Sequence, residues 1–107
     1  MSVTIAFSGS ILPTLNQHHI VGTISSAVVC QFFVGAGNMQ NGDGVELRII
    51  DRMALGTPEV LFYGAYAHQQ ASQIKCSPPL PIGTAAQYSI RQTDGTPRWF
   101  IFEVRQI

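Results

Sequence analysis

Apolar and polar residues alternate with a period of two along most of this chain, and no window of twelve residues carries helical spacing. Strand side chains alternate faces, whereas those of a helix recur every ~3.6 residues, so the pattern commits the chain to sheets. Val3, Ile5 and Phe7 alternate with Thr4 and Ala6 and predict a first strand ending at Ser8-Gly9-Ser10. Pro13 to His19 reads as a connection and Ile20–Ile24 as a short strand. The nearly continuous apolar run Ala27–Val34 predicts a strand covered on both faces. Gly35–Gly44 holds four glycines and predicts a turn that no helix would tolerate. Val45, Leu47 and Ile49 then alternate with Glu46, Arg48 and Ile50, as a half-buried strand does.

After a loop at Met53–Pro58, Glu59–Ala67 predicts another strand, with Gly64 at a bulge or close approach. Ser72–Cys76 reads as a short strand and Ser77-Pro-Pro-Leu-Pro81 as a stiff, extended connection. Gln87–Gln92 and Arg98–Ile107 predict the last two strands, with Asp94-Gly95 supplying the positive φ angles of a hairpin turn. About seven or eight short strands between Gly/Pro/Asn turns predict one all-β domain over residues 1–107. Its expected form is a single antiparallel β-sandwich, jelly-roll-like, or a small barrel, with residues 1–19 as an extended N-terminal strand or arm.

Charge is distributed unevenly along this pattern. Met1 to Gly42 contains no Asp, Glu, Lys or Arg, and all twelve charged residues lie between Asp43 and Ile107. Exposed strand faces and edges of a monomer usually carry charge, for solubility and to block edge pairing. A charge-free opening therefore points to a surface that meets protein. Of the six basic residues five are Arg and one is Lys, the bias of subunit interfaces. The six acidic residues cancel them to zero net charge. A neutral chain makes no long-range field, which argues against nucleic acid and anionic membrane surfaces as partners. The 17-residue uncharged stretch Ile20–Ala36 is at the lower limit for a membrane span. Gly22, Thr23, Ser25, Ser26 and Gln31 within it, and the lack of flanking Lys or Arg, argue against one. The opening MSVTIAFSGS lacks the basic start of a signal peptide.

No residue pattern announces a chemistry. His18 and His19 would point to opposite faces of a strand, without a further ligand at metal spacing, and His68 ends a strand beside Gln69 and Gln70. G-x-S-x-G is absent, and the nearest acidic residues, Asp43 and Glu46, flank a turn. Asn38, Asn41, Asp43 and Glu46 offer too few carboxylates for a calcium loop. Gly35-Ala36-Gly37 is followed by neither a helix nor a Lys that would make it a phosphate cradle. The expectation is a non-enzymatic protein with no cofactor and no metal. Cys30, inside the most apolar strand, reads as a buried thiol, and Cys30 and Cys76 allow one intrachain disulfide if their strands are neighbours. Arg91, Arg98, Trp99, Phe100 and Phe102 gather on the expected terminal hairpin. They could stack bases, form a sugar platform with Trp99, or supply core residues and Arg anchors at a subunit contact, and the zero net charge favours the last. The candidate interface residues are Val3, Ile5, Phe7, Leu12, Leu15 and His18 from the opening, with Arg91, Arg98 and Trp99 from the end.

A short, nearly helix-free, charge-poor chain ending in a long aromatic strand resembles the small virion proteins of tailed bacteriophages. Among these it is most similar to capsid decoration, or cement, proteins. The part that carries the likeness most is Gln92-Thr-Asp-Gly-Thr-Pro-Arg98 followed by Trp-Phe-Ile-Phe-Glu-Val-Arg105, and the likeness of size and texture covers the whole chain. The resemblance implies a homotrimer on the major capsid protein lattice at its three-fold positions, on the virion exterior after synthesis in the host cytoplasm. It implies no cofactor and no catalytic residues. A binding module is the alternative: a lectin-like β-sandwich with Trp99, Tyr88 or Tyr66 against a carbohydrate, or a phage receptor-binding head domain.

Overall fold

A computed structural model describes residues 3–83 and 85–107. Among the described residues the chain forms nine strands and no helix. They are β1 (Thr4–Ile11), β2 (His19–Ile24), β3 (Val29–Gly35), β4 (Gly44–Asp51), β5 (Glu59–Ala67), β6 (Ile74–Cys76), β7 (Leu80–Pro81), β8 (Ala86–Asp94) and β9 (Phe100–Gln106). Eight of them make one long antiparallel ribbon: β1 pairs with β9, β2 with β8, β3 with β6 and β4 with β5. Folding the ribbon over sets β9 against β3 and β8 against β4. The two resulting sheets run β1-β9-β3-β6 and β2-β8-β4-β5, with β7 added on β3. This connectivity is a jelly roll. The sheets remain separate, so the barrel alternative falls away.

The alternation read from the sequence fills the space between the sheets. Phe32 and Val34 of β3, Val45, Leu47 and Ile49 of β4, Tyr88 and Ile90 of β8, and Phe100, Phe102 and Val104 of β9 all point inward and are buried. Burying each such side chain contributes roughly 1.5–3 kcal/mol. The Tyr88 ring lies at the centre, edge-on to Phe32 at 5.3 Å and to Phe7 at 5.6 Å, the geometry that ring quadrupoles favour.

The structure corrects three expectations and decides between the alternatives of another. First, β8 and β9 do not form a hairpin; they lie in different sheets, and residues 95–99 cross between them. Gln92, wholly buried at the end of β8, accepts the Arg98 amide and donates to the Asp94 and Thr96 carbonyls. Its side chain holds the loop in an arch and outweighs the local hairpin preference of Asp94-Gly95. Second, Ile5 and Phe7 do not share a face. A bulge at Ala6 sets Ile5 opposite Arg105, on the outer surface, and Phe7 opposite buried Val104, because one extra residue inverts the alternation.

Third, the bulge in β5 falls at Leu61, which has no partner between Phe62↔Ile49 and Val60↔Ile50. Of the two expectations for Gly64 the close approach therefore holds, since a Cβ there would sit 3.3 Å from both the Phe62 ring and the Tyr66 hydroxyl. Fourth, β3 is fully covered on one face only. Gln31 and Phe33 on the other are half-exposed, and the Arg105 guanidinium lies 4.1 Å from the centre of the Phe33 ring.

The two cysteines are free although β3 and β6 are neighbours. Cys30 faces the core, whereas Cys76 stands across from Phe33 on the outer surface. Burial pushes the Cys30 thiol above its ordinary pKa, and burial likewise raises that of the Tyr88 phenol beside it. No helix among the described residues is long and apolar enough to cross a membrane.

Candidate functional site

Three surfaces receive the candidate residues. At one end of the sandwich three sheet-crossing connections, residues 36–43, 68–73 and 95–99, are tied together, while residues 12–18 are held to β8 by the Asn16 amide on the Gln92 carbonyl. Asp43 is the knot. Its carboxylate accepts from the Gln40 amide at 2.8 Å, the Thr96 amide at 3.3 Å and Arg98 Nε at 2.8 Å, and its carbonyl accepts the His68 amide. His68, held at φ 65°, accepts the Gly42 amide on Nδ1, so its role is to join two loops. Burial alone would raise the Asp43 pKa, but the Gln40 amide, the Arg98 guanidinium and the Thr96 amide together hold it below its ordinary value. Arg98 is therefore occupied inside the loop cluster. Trp99 next to it is 54% exposed, its carbonyl fixed by the Asn38 side-chain amide at 3.1 Å.

The second surface is the outer face of the β2-β8-β4-β5 sheet. Strand register puts Glu46 between Arg91 of β8 and Ala65 of β5, and Arg48 between Ser89 and Tyr63. Arg91 Nη2 lies 2.7 Å from Glu46 Oε1, and the Tyr63 hydroxyl donates to Oε2 at 2.5 Å. The Tyr63 hydrogen bond is the larger cause that holds Glu46 below the usual carboxylate range, with Arg91 adding to it against the effect of burial. The same bond raises the Tyr63 pKa. His18, leading into β2, joins this group. Burial, then the charges of Arg48 and Arg91, push it below its ordinary pKa against the opposite pull of Glu46. Beside the cluster runs a groove of about 290 Å³, over Gly44, Ala65 and Ala67 and between Tyr63, Glu46, Thr93 and Asp94.

The third surface is a lateral edge. β1 ends one sheet and β2 ends the other, and the two face each other where the Phe7 ring covers Gly22 so closely that a Cβ there would meet it at 2.4 Å. Both strands come from the charge-free segment. Val3, Ile5, Leu12 and Ile20 are exposed along this side, and Leu15 is half-buried in the connection between the strands. Bulges at Ala6 and Val21 interrupt the ladders, leaving Phe7–Ile11 as the longest regular open edge of β1. The opposite side carries Glu59 on β5, Lys75 on β6 and Pro78, Pro79 and Pro81, residues that discourage strand addition.

Of the nine sequence-predicted residues, the fold thus brings His18 and Arg91 together on one sheet face. It sets Val3, Ile5 and Leu12 along one edge, and turns Phe7 into the core. Arg98 and Trp99 belong to the loop end, apart from Arg91. Tyr88 is buried and Tyr66 is half-buried beneath the Lys75 ammonium at 4.8 Å, so the tyrosine presented to solvent is Tyr63. Arg48, Tyr63 and Ser89 escaped the sequence reading, which weighed Glu46 only beside Asp43. The alternation of β4 did place Glu46 and Arg48 outward, but only the β8-β4-β5 order reveals what they meet. No protein-family model, curated protein or solved structure matches the chain.

Proposed function

We propose that this chain is a virion structural protein, a capsid cement protein that forms homotrimers and braces the major capsid protein lattice from outside. One observation carries the reading: both strands of one lateral edge, β1 and β2, come from a segment without a single ionised side chain. An edge strand presents a row of unpaired amides and carbonyls, and proteins that stay monomeric guard such rows with charge or proline. Here the exposed neighbours are Val3, Ile5, Leu12 and Ile20. A further strand adding along Phe7–Ile11 would satisfy the backbone and cover those side chains together. Many copies on a lattice would make modest single contacts collectively strong.

Sedimentation of the purified chain over a range of concentrations tests the assembly step, with S8K/S10K as the comparison. Ser8 and Ser10 are exposed on β1, so lysines there leave the core intact while charging the edge. The expected result is a defined oligomer for the native chain and a monomer for the variant, with the native chain alone co-sedimenting with capsids. A native chain that stays monomeric at high concentration overturns the reading.

A second reading, a carbohydrate- or receptor-binding module, is favoured by the groove beside Tyr63, where an exposed aromatic ring adjoins carboxylates and Arg91. Binding to a glycan array by a chain that does not associate with capsids would select it.

A further inference from the structure

The outer face of the β2-β8-β4-β5 sheet holds more donors than acceptors. Both oxygens of Glu46 are taken, one by Arg91 and one by the Tyr63 hydroxyl. Among the described residues, Nε of Arg48, Nε of Arg91, Nδ1 of His18 and the Ser89 hydroxyl have no protein partner, and each of these atoms is screened from solvent. Ser89 is the most informative. It is wholly buried although it stands on the outer side of β8, directly across from Arg48. The side chains of that face therefore close over a hydroxyl that nothing in the protein satisfies. Buried polar groups are nearly always paired, and several unpaired ones on one face call for a partner outside the chain. Two guanidinium groups, a serine hydroxyl and an imidazole around one carboxylate, each of whose oxygens is already engaged, match an incoming oxyanion.

We propose that this face is a carboxylate-binding site: Arg48 and Arg91 take the oxyanion, Ser89 lies beneath it and His18 flanks it, while the remainder of the ligand occupies the adjoining groove. The groove selects the ligand class. At about 290 Å³, with a floor of Gly44, Ala65 and Ala67 and with Tyr63 as one wall, it admits a single sugar ring. Thr93 and Asp94 on the rim offer hydrogen bonds to ring hydroxyls. The ligand is accordingly an acidic sugar, its carboxylate on the arginines and its ring beside Tyr63. This inference deepens the carbohydrate reading and is independent of the β1/β2 edge.

Amide chemical shifts of the native chain, followed during titration with glucuronate, test it against glucose, acetate and tetraglutamate at equal ionic strength in chloride. Glucuronate is expected to shift the signals of Arg48, Ser89 and Arg91 and those lining the groove, acetate only the former, and glucose neither. The R48Q variant should bind glucuronate at least about tenfold more weakly, as loss of a charge-assisted hydrogen bond implies. Should R48Q not fold, S89A and the native His18 titration decide. Glucuronate should raise the His18 midpoint above its value in chloride, because a bound anion offsets the two arginines. Glucose acting as well as glucuronate overturns the carboxylate site and leaves the carbohydrate reading standing. Tetraglutamate binding more tightly than glucuronate overturns the sugar and assigns the site to an acidic protein segment. No response to any carboxylate overturns the site altogether.

Discussion

Arg98 Nε lies 2.8 Å from Asp43 Oδ2 although 55 positions separate the two residues in the chain. The Asp43 side chain is 2% exposed and the Arg98 side chain 31%. With the Gln40 and Thr96 amides on the same carboxylate, this contact joins the β3–β4 and β8–β9 connections. Removing one partner of such a pair leaves the other desolvated. D43A should therefore destabilise the fold by about 2–4 kcal/mol in urea unfolding, below the usual loss for a buried pair because Arg98 reaches solvent.

The same carboxylate makes stability sensitive to acid. Its pKa is lower in the folded chain than in the unfolded one, so the unfolded state binds the proton more readily. The stabilisation is complete above the unfolded value of about 3.9 and is lost as pH falls through the folded value. Glu46 shifts in the same direction. Thermal midpoints should fall below about pH 4, and D43N should be lower at neutral pH but less steep across that window.

Two glycines with positive φ separate backbone strain from crowding. Gly42 has φ 95° and open space where a Cβ would go, while Gly95 has φ 89° and a Cβ there would overlap the Asp43 carboxylate. G42A should cost about 1 kcal/mol, the conformational penalty alone. G95A should cost about 2 kcal/mol or more, because Asp43 must move and release Arg98. Equal losses in chemical denaturation would mean that the loops adjust independently.

Phe7 and Gly22 should be energetically coupled. The Phe7 ring packs edge-on to Tyr88 and Phe102 and occupies the space a side chain at position 22 would need. F7A should cost about 3 kcal/mol through the cavity it leaves, and G22A should displace the ring. The double variant should be more stable than the sum of the single losses predicts, by about 1 kcal/mol or more. Strict additivity would show that β1 does not seal the sandwich against β2.

The two thiols should react on different timescales. Cys76 is exposed and should be labelled by a maleimide in the native chain, whereas Cys30, buried with a raised pKa, should be labelled only as the fold opens. Mass spectrometry of partially labelled protein reads this directly, and prompt double labelling would contradict a closed core.

Which side of a strand meets the core was written in the alternation. Val45, Leu47 and Ile49, and Tyr88 and Ile90, are buried as their spacing requires. The neighbours of each strand were not legible, because a period of two reports a face and says nothing of the adjacent strand. Asp94-Gly95 therefore suggested a hairpin, while Gln92, whose amide bridges the loop, bore no local sign of that role. The bulges at Ala6 and Val21 have the same character: each sits within an apolar run and is imposed by pairing with β9 or β8. The sheet-face cluster remained hidden for this reason as well. Its members are dispersed from His18 to Arg91, and only Glu46 with Arg48 and Ser89 with Arg91 are close in sequence.

β9 lies between β1 and β3, and it is the last of the nine strands to leave the ribosome. Until it arrives, the opening strand has no ladder to join and its uncharged side chains remain available to any nascent neighbour. Slow closure over so long a span makes exchange of β1 between chains a standing hazard during synthesis, and a route by which copies made side by side could become interlocked.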